Sequence, residues 1–128
     1  MVDTNVKGVM NGIEIVLGGM RNRKQGTIIN ISSISDRVPR PNIAVYAATK
    51  AAVKSLTESL RMANAKYGIR ICRLTPAKIR TPMLLPSHLT SHEVVLPESV
   101  AAAALWIYEQ PKVVCIRDLV IAPTFYEP

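Results

Sequence analysis

Two short β-branched runs, GTIINIS at 26–32 and IRICRL at 69–74, flank a long alanine-rich stretch from Ile43 to about Lys66 that suits a helix. Strand, long helix, strand constrains the fold more than any other feature of the chain, because a helical crossover returns the second strand parallel to the first. The alternation continues in both directions. Upstream, Val6, Met10, Ile13, Leu17 and Met20 recur at three- and four-residue steps, which predicts one face of a helix ending near RNRKQG. Downstream, PESVAAAALWIYEQ begins a helix at Pro97, where a first-turn proline is accommodated, and RDLVIA at 117–122 predicts a last strand. Gly68 stops the middle helix; Pro39 and Pro41 mark one loop, and Pro76, Pro82, Pro86 and Pro97 a longer one. The expected fold class is α/β, about three parallel strands with crossover helices.

With 128 residues, 48% of them apolar, the chain is one domain's worth and has the composition of a globular protein. No apolar run approaches the roughly 18 residues of a membrane span, and MVDTNVKG has no basic segment leading into an apolar core, so no signal peptide is expected. The net charge of +7 raises nucleic acid as a partner. The basic residues are scattered, however. Their clusters, RNRK at 21–24 and Arg37 with Arg40, are not interleaved with any of the six aromatic residues, so a solvated basic surface is expected instead. Cys72 and Cys115, in apolar surroundings without a CxxC or a nearby histidine, read as reduced buried thiols.

Tyr46 and Lys50 stand four apart in YAATK, and on a helix such residues share one face. A phenol ionises near pH 10 and is a poor acid–base group at neutrality, but an adjacent ammonium favours the phenolate and brings it toward the useful range. On spacing alone this pair is weak. Its context is stronger: GTIINISSISDRVPRPNIAVYAATKAAVKSLTESLR places Ser33 at a strand end thirteen residues before Tyr46. Serine, tyrosine and lysine in this order and spacing resemble the short-chain dehydrogenase/reductase family. DTNVKGVMNGI is similar to that family's N-x-x-G helix, and LTPAKIRTPM to its PGxVxT segment, with Ala77 where the family usually has glycine.

The resemblance covers nearly the whole chain and implies a partial Rossmann-like doubly wound parallel sheet, residues 1–128 forming the C-terminal part of a single domain. None of the six glycines forms the G-x-G-x-x-G turn that holds pyrophosphate at a helix N-terminus. The expectation is therefore a preceding half-fold, with its T-G-x-x-x-G-x-G stretch, upstream of Met1. The implied activity is that of an NAD(P)-dependent oxidoreductase interconverting an alcohol and a carbonyl. In it Ser33 would polarise the substrate oxygen, Tyr46 would pass it a proton, Lys50 would favour the phenolate and hold the nicotinamide ribose, and Asn5 would anchor a water completing the relay. Pro76, Ala77, Ile79 and Thr81 would lie against the nicotinamide. The ending RDLVIAPTFYEP resembles a branch acting on small hydroxy acids or carbonyls, leaning the cofactor toward NADP over NAD. A cytoplasmic homodimer or homotetramer is implied, with a small-molecule substrate and neither nucleic acid nor membrane as partner. The alternative is an inactive fragment that acts as an oligomerising, helix-packing module.

Blander readings stand beside these. Asn5, after Asp3 and Thr4, also suits helix-start chemistry. Ser33 could close a strand and Thr81 cap a turn, while Ser32 and Ser35 read as strand-end and loop residues. Arg37 and Arg40 would either be solvated or steer an anionic substrate. His88 and His92 lack a third metal ligand at suitable spacing and read as surface or lid, and Trp106 and Tyr108 read as core.

Overall fold

A computed structural model describes residues 1–38, 40–77 and 94–125. A wide helical turn at Asp3–Lys7 leads into helix α1 (Gly8–Arg23). Strand β1 (Gly26–Ile31) follows, then a short helical turn at Ile34–Asp36 and helix α2 (Ala44–Asn64). Strand β2 (Ile69–Pro76), helix α3 (Pro97–Glu109) and strand β3 (Asp118–Ile121) complete the order. Among the described residues the strands make one parallel sheet, β1-β2-β3, with Gly26 opposite Ile69 and Arg73 opposite Asp118. This is the α/β, Rossmann-like arrangement that the strand–helix–strand pattern predicts.

The core forms where side chains alternate along β2. Ile69 and Ile71 point to one face and pack with Ile13 and Leu17 of α1, joined by Val9, Leu56 and Leu60. Cys72 and Leu74 point to the other and pack with Ile107, Val100, Ala103 and Ala104 of α3. With helices on both faces β2 is buried along its whole length. Each fully buried Ile or Leu side chain there contributes about 2 kcal/mol from the area it removes from water. Met10, expected on the inward face of α1, is half exposed, because the steps Val9, Ile13, Leu17 already define the stripe and Met10 falls beside it.

The core reading of Trp106 and Tyr108 is corrected: they are 49% and 61% exposed. The inward stripe of α3 is Val100, Ala103, Ala104 and Ile107, whose small residues bring the helix close to the sheet and turn the aromatic side chains outward.

Two left-handed residues close the turns on the strand-start side. Lys24 (φ 53°) ends α1 and Gly68 (φ 71°) follows α2. A Cβ on Gly68 would sit 2.8 Å from the Lys24 carbonyl oxygen, so this glycine serves both the backbone conformation and the close approach.

Candidate active site

In a parallel sheet all strands finish at the same edge, and the loops beyond that edge are where α/β proteins gather their chemistry. Beyond β1 the ladder is prolonged by the Ser32 N–H donating to the Leu74 carbonyl at 2.8 Å. Ser33 is extended and caps the turn Ile34–Asp36, its Oγ accepting from the Ser35 N–H at 3.2 Å. That bond uses an oxygen lone pair and leaves the hydroxyl proton for another acceptor. The capped turn packs against α2.

Tyr46 and Lys50 occupy the first two turns of α2, with the Lys50 Nζ 5.7 Å from the centre of the Tyr46 ring. Among the described residues neither the phenol oxygen nor the ammonium has a hydrogen-bond partner. Thr49, buried between them, donates to the Tyr46 carbonyl at 2.7 Å and accepts from the Asn5 Nδ2 at 3.2 Å. Asn5 is thus not a helix cap: its N–H donates to the Met1 carbonyl within the opening turn, and its amide docks that turn onto α2 next to Lys50.

Pro76 ends β2, and the Ala77 N–H donates to the Ile121 carbonyl at 2.9 Å. Among the described residues Lys24 is the one non-glycine with positive φ, so Ala77 lies in ordinary backbone, where a methyl group costs no strain. Ile79, Thr81, His88 and His92 lie outside the described residues. Tyr46, Lys50 and Asn5 thus lie at the start of α2, and the turn capped by Ser33 packs against the same helix. Pro76 and Ala77 lie at the end of the neighbouring strand.

Beside this group lies a set of ion pairs that the sequence reading missed. The Asp36 carboxylate, fully buried, accepts from the Ser32 Oγ at 2.8 Å and from the Arg37 Nε at 2.6 Å. Asp118 accepts from the Arg37 Nη1 at 2.8 Å, the Thr75 Oγ1 at 2.6 Å and the Arg73 Nε at 3.3 Å, and the Arg73 Nη2 stands 3.0 Å from it as an ion pair. Arg73 also reaches Asp36, with 3.8 Å between Nε and Oδ2. Burial alone would raise the Asp118 carboxyl, but hydrogen bonds from Arg73, Arg37 and Thr75 outweigh it and hold the group well below the usual carboxylate range. The Arg37 guanidinium is pushed up by its hydrogen bond to Asp36 and then by Asp118, against the opposing effect of burial. Arg37 is therefore neither solvated nor placed to steer a substrate; it ties the turn after Ser33 to the sheet. Ser32 is likewise more than a strand end. The signal for this cluster was Arg73, a charged residue two positions beyond Ile71 in a strand that reads as buried, which demands acidic partners.

The fold and the polar group at the strand ends define an α/β protein of Rossmann-like type. The sequence profile of the family described as short chain dehydrogenase matches residues 1–90, and the chain belongs to that family. An uncharacterised oxidoreductase of Staphylococcus saprophyticus is 34% identical over 123 residues, a span covering 96% of this chain and 53% of that protein. Serine dehydrogenase from Escherichia coli superposes with a TM-score of 0.87 at 30% identity, covering 100% of this chain and 54% of that one. A closed form of serine dehydrogenase complexed with NADP+ gives 0.91 at 27% identity, over 100% and 56%. The chain spans about half the length of these relatives.

Proposed function

We propose that this chain carries the proton-handling part of an NAD(P)-dependent oxidoreductase that interconverts an alcohol and a carbonyl. The observation that carries the reading is the start of α2. Tyr46 and Lys50 share one face with neither polar end hydrogen-bonded among the described residues, and the Ser33 turn and Asn5 pack on the same helix. Residues 1–128 are, in this reading, the C-terminal part of one domain.

The residues present fit one end of the cofactor. The Lys50 ammonium, without a hydrogen-bond acceptor among the described residues, suits ribose hydroxyls, and the unstrained backbone at Pro76 and Ala77 suits a flat ring, as Ile79 and Thr81 would. The sequence holds no glycine-rich turn for a pyrophosphate, so affinity through these residues alone would be low. When bound, the nicotinamide supplies the hydride exchanged with the substrate carbon. Tyr46 delivers a proton to, or takes one from, the substrate oxygen; Lys50 favours the phenolate and holds the ribose. Ser33 donates its remaining hydroxyl proton to the same oxygen, and Asn5 orders the water that connects Lys50 to solvent. Serine dehydrogenase and its NADP+ complex favour a small hydroxy acid as substrate and NADP as cofactor.

A second reading, an inactive chain that mainly associates as a homodimer or homotetramer, is favoured by apolar side chains exposed on the helices. Met10, Ile15 and Val16 of α1 and Val45 and Met62 of α2 face outward. No described helix is long and apolar enough to cross a membrane. Titrating the purified chain with NADPH while following nicotinamide fluorescence separates the readings: saturable binding favours the enzyme, and no binding by a stable oligomer favours the second. Within the first, Tyr46→Phe should lower turnover by about 10²–10⁴-fold with an unchanged circular dichroism spectrum. Turnover equal to wild type would remove Tyr46 from the proton step.

A further inference from the structure

Neither cysteine of the molecule takes part in the chemistry above, yet the two lie together. The Cys72 Sγ, on the fully buried middle of β2, is 3.9 Å from the Cys115 Sγ, on the irregular connection between α3 and β3. The proximity is built in, because that connection is fastened on both sides of Cys115. Before it, the buried Arg70 guanidinium donates from Nη1 to the Gln110 and Val114 carbonyls at 3.0 and 3.1 Å, and from Nη2 to the Tyr108 carbonyl at 2.9 Å. After it, the Arg73 N–H donates to the Arg117 carbonyl at 3.1 Å. No third metal-ligating side chain joins the pair among the described residues, which leaves a dithiol rather than a metal site.

We infer that Cys72 and Cys115 form a reversible dithiol–disulfide pair, a covalent strap between β2 and the α3–β3 connection that a peroxide closes. The sulfurs must approach by about 2 Å to reach bonding distance, a shift that falls to Cys115 in the irregular stretch between the anchored Val114 and Arg117 carbonyls. Cys115 is half-buried and is where the oxidant enters; Cys72 is fully buried. Burial, and then the neighbouring Cys115, push the Cys72 thiol up to about 12, so it waits as a thiol and reacts second. The Cys115 thiolate attacks one peroxide oxygen and breaks the O–O bond, becoming a sulfenic acid while the other oxygen leaves as hydroxide and is protonated to water. The Cys72 sulfur then attacks the Cys115 sulfur, the S–O bond breaks, and the oxygen departs as water with the Cys72 proton. Two thiols and one peroxide yield one disulfide and two waters, two electrons passing from the sulfurs to the peroxide. Residues 73–114, including Pro76 and Ala77, become enclosed in a covalent loop.

The test is to treat the native chain with hydrogen peroxide, block residual thiols with iodoacetamide and measure the intact mass. The expected result is a monomer about 2 Da lighter with neither cysteine alkylated, returned to two alkylatable thiols by dithiothreitol. Cys72→Ser should stop at the Cys115 sulfenic acid, trapped as a dimedone adduct, and Cys115→Ser should leave Cys72 reduced. In a glutathione redox buffer, the disulfide should be favoured in the folded chain by at least about tenfold over the same chain in guanidinium. Retention of an alkylatable Cys115, passage to the sulfinic acid, a disulfide only between chains, or no preference for the folded state would each overturn the inference.

Discussion

One face of β2 holds two different kinds of interior. At its start Ile69 and Ile71 meet the apolar side chains of Ile13, Leu17, Leu56 and Leu60. Two residues further along the same face, Arg73 and Thr75 meet Asp36, Arg37 and Asp118, and every side-chain contact named there is a hydrogen bond or an ion pair. Both ends are buried to a similar degree. The apolar end is non-directional and tolerates changes of shape, whereas the ionic end works only while each charge keeps its partner. The Ser33 turn is attached to the ionic end through Ser32 and Asp36, so the placement of a candidate site residue depends on directional contacts.

That contrast can be broken in graded steps. Removing one partner from the ionic end should have the largest effect. Arg73→Ala should cost about 3–5 kcal/mol in denaturant unfolding, because Asp36 and Asp118 are left short of positive charge. A cost below that of trimming the apolar end would contradict the contrast. Gly68→Ala, at the hinge between α2 and β2, should cost about 1–2 kcal/mol from its left-handed backbone, with the Lys24 carbonyl clash adding to it. The smallest step is Ile71→Val, about 0.5–1.5 kcal/mol, since a single methylene is lost from the packed cluster.

Acid separates the two ends without a change of size. The Asp118 carboxyl is held below its usual range in the folded chain, so the unfolded chain takes up the proton at higher pH. Its stabilisation is fully present above the ordinary carboxylate value of about 4 and drains away as pH falls toward the folded value. Melting temperature followed from pH 6 to pH 2 should therefore fall more steeply in wild type than in Asp118→Asn. Ile71→Val should run parallel to wild type across the series. Equal slopes for wild type and Asp118→Asn would remove the ionic end from the acid response.

Much of the fold was legible before any coordinates. The steps through Ile13 and Leu17, the β-branched runs, Pro97 at the start of α3 and Gly68 after α2 each report a local requirement of backbone or burial, so neighbours in sequence are enough to read them. The site was partly legible for the same reason: Tyr46 and Lys50 meet because one helix holds both. Trp106 and Tyr108 were misread because composition marks a residue as apolar or aromatic without saying which side of α3 faces the sheet.

What the sequence by itself determined is the succession of helices and strands, the parallel direction of the sheet, and the one-helix pairing of Tyr46 with Lys50, all set by periodicity and short-range geometry. Only the tertiary structure decided that Asn5 reaches Thr49, that Arg37 and Arg73 share Asp36 and Asp118, and that Cys72 meets Cys115. Each joins residues brought together by strand register and helix docking, and a charge or a thiol carries no mark in the sequence of the distant group that will satisfy it.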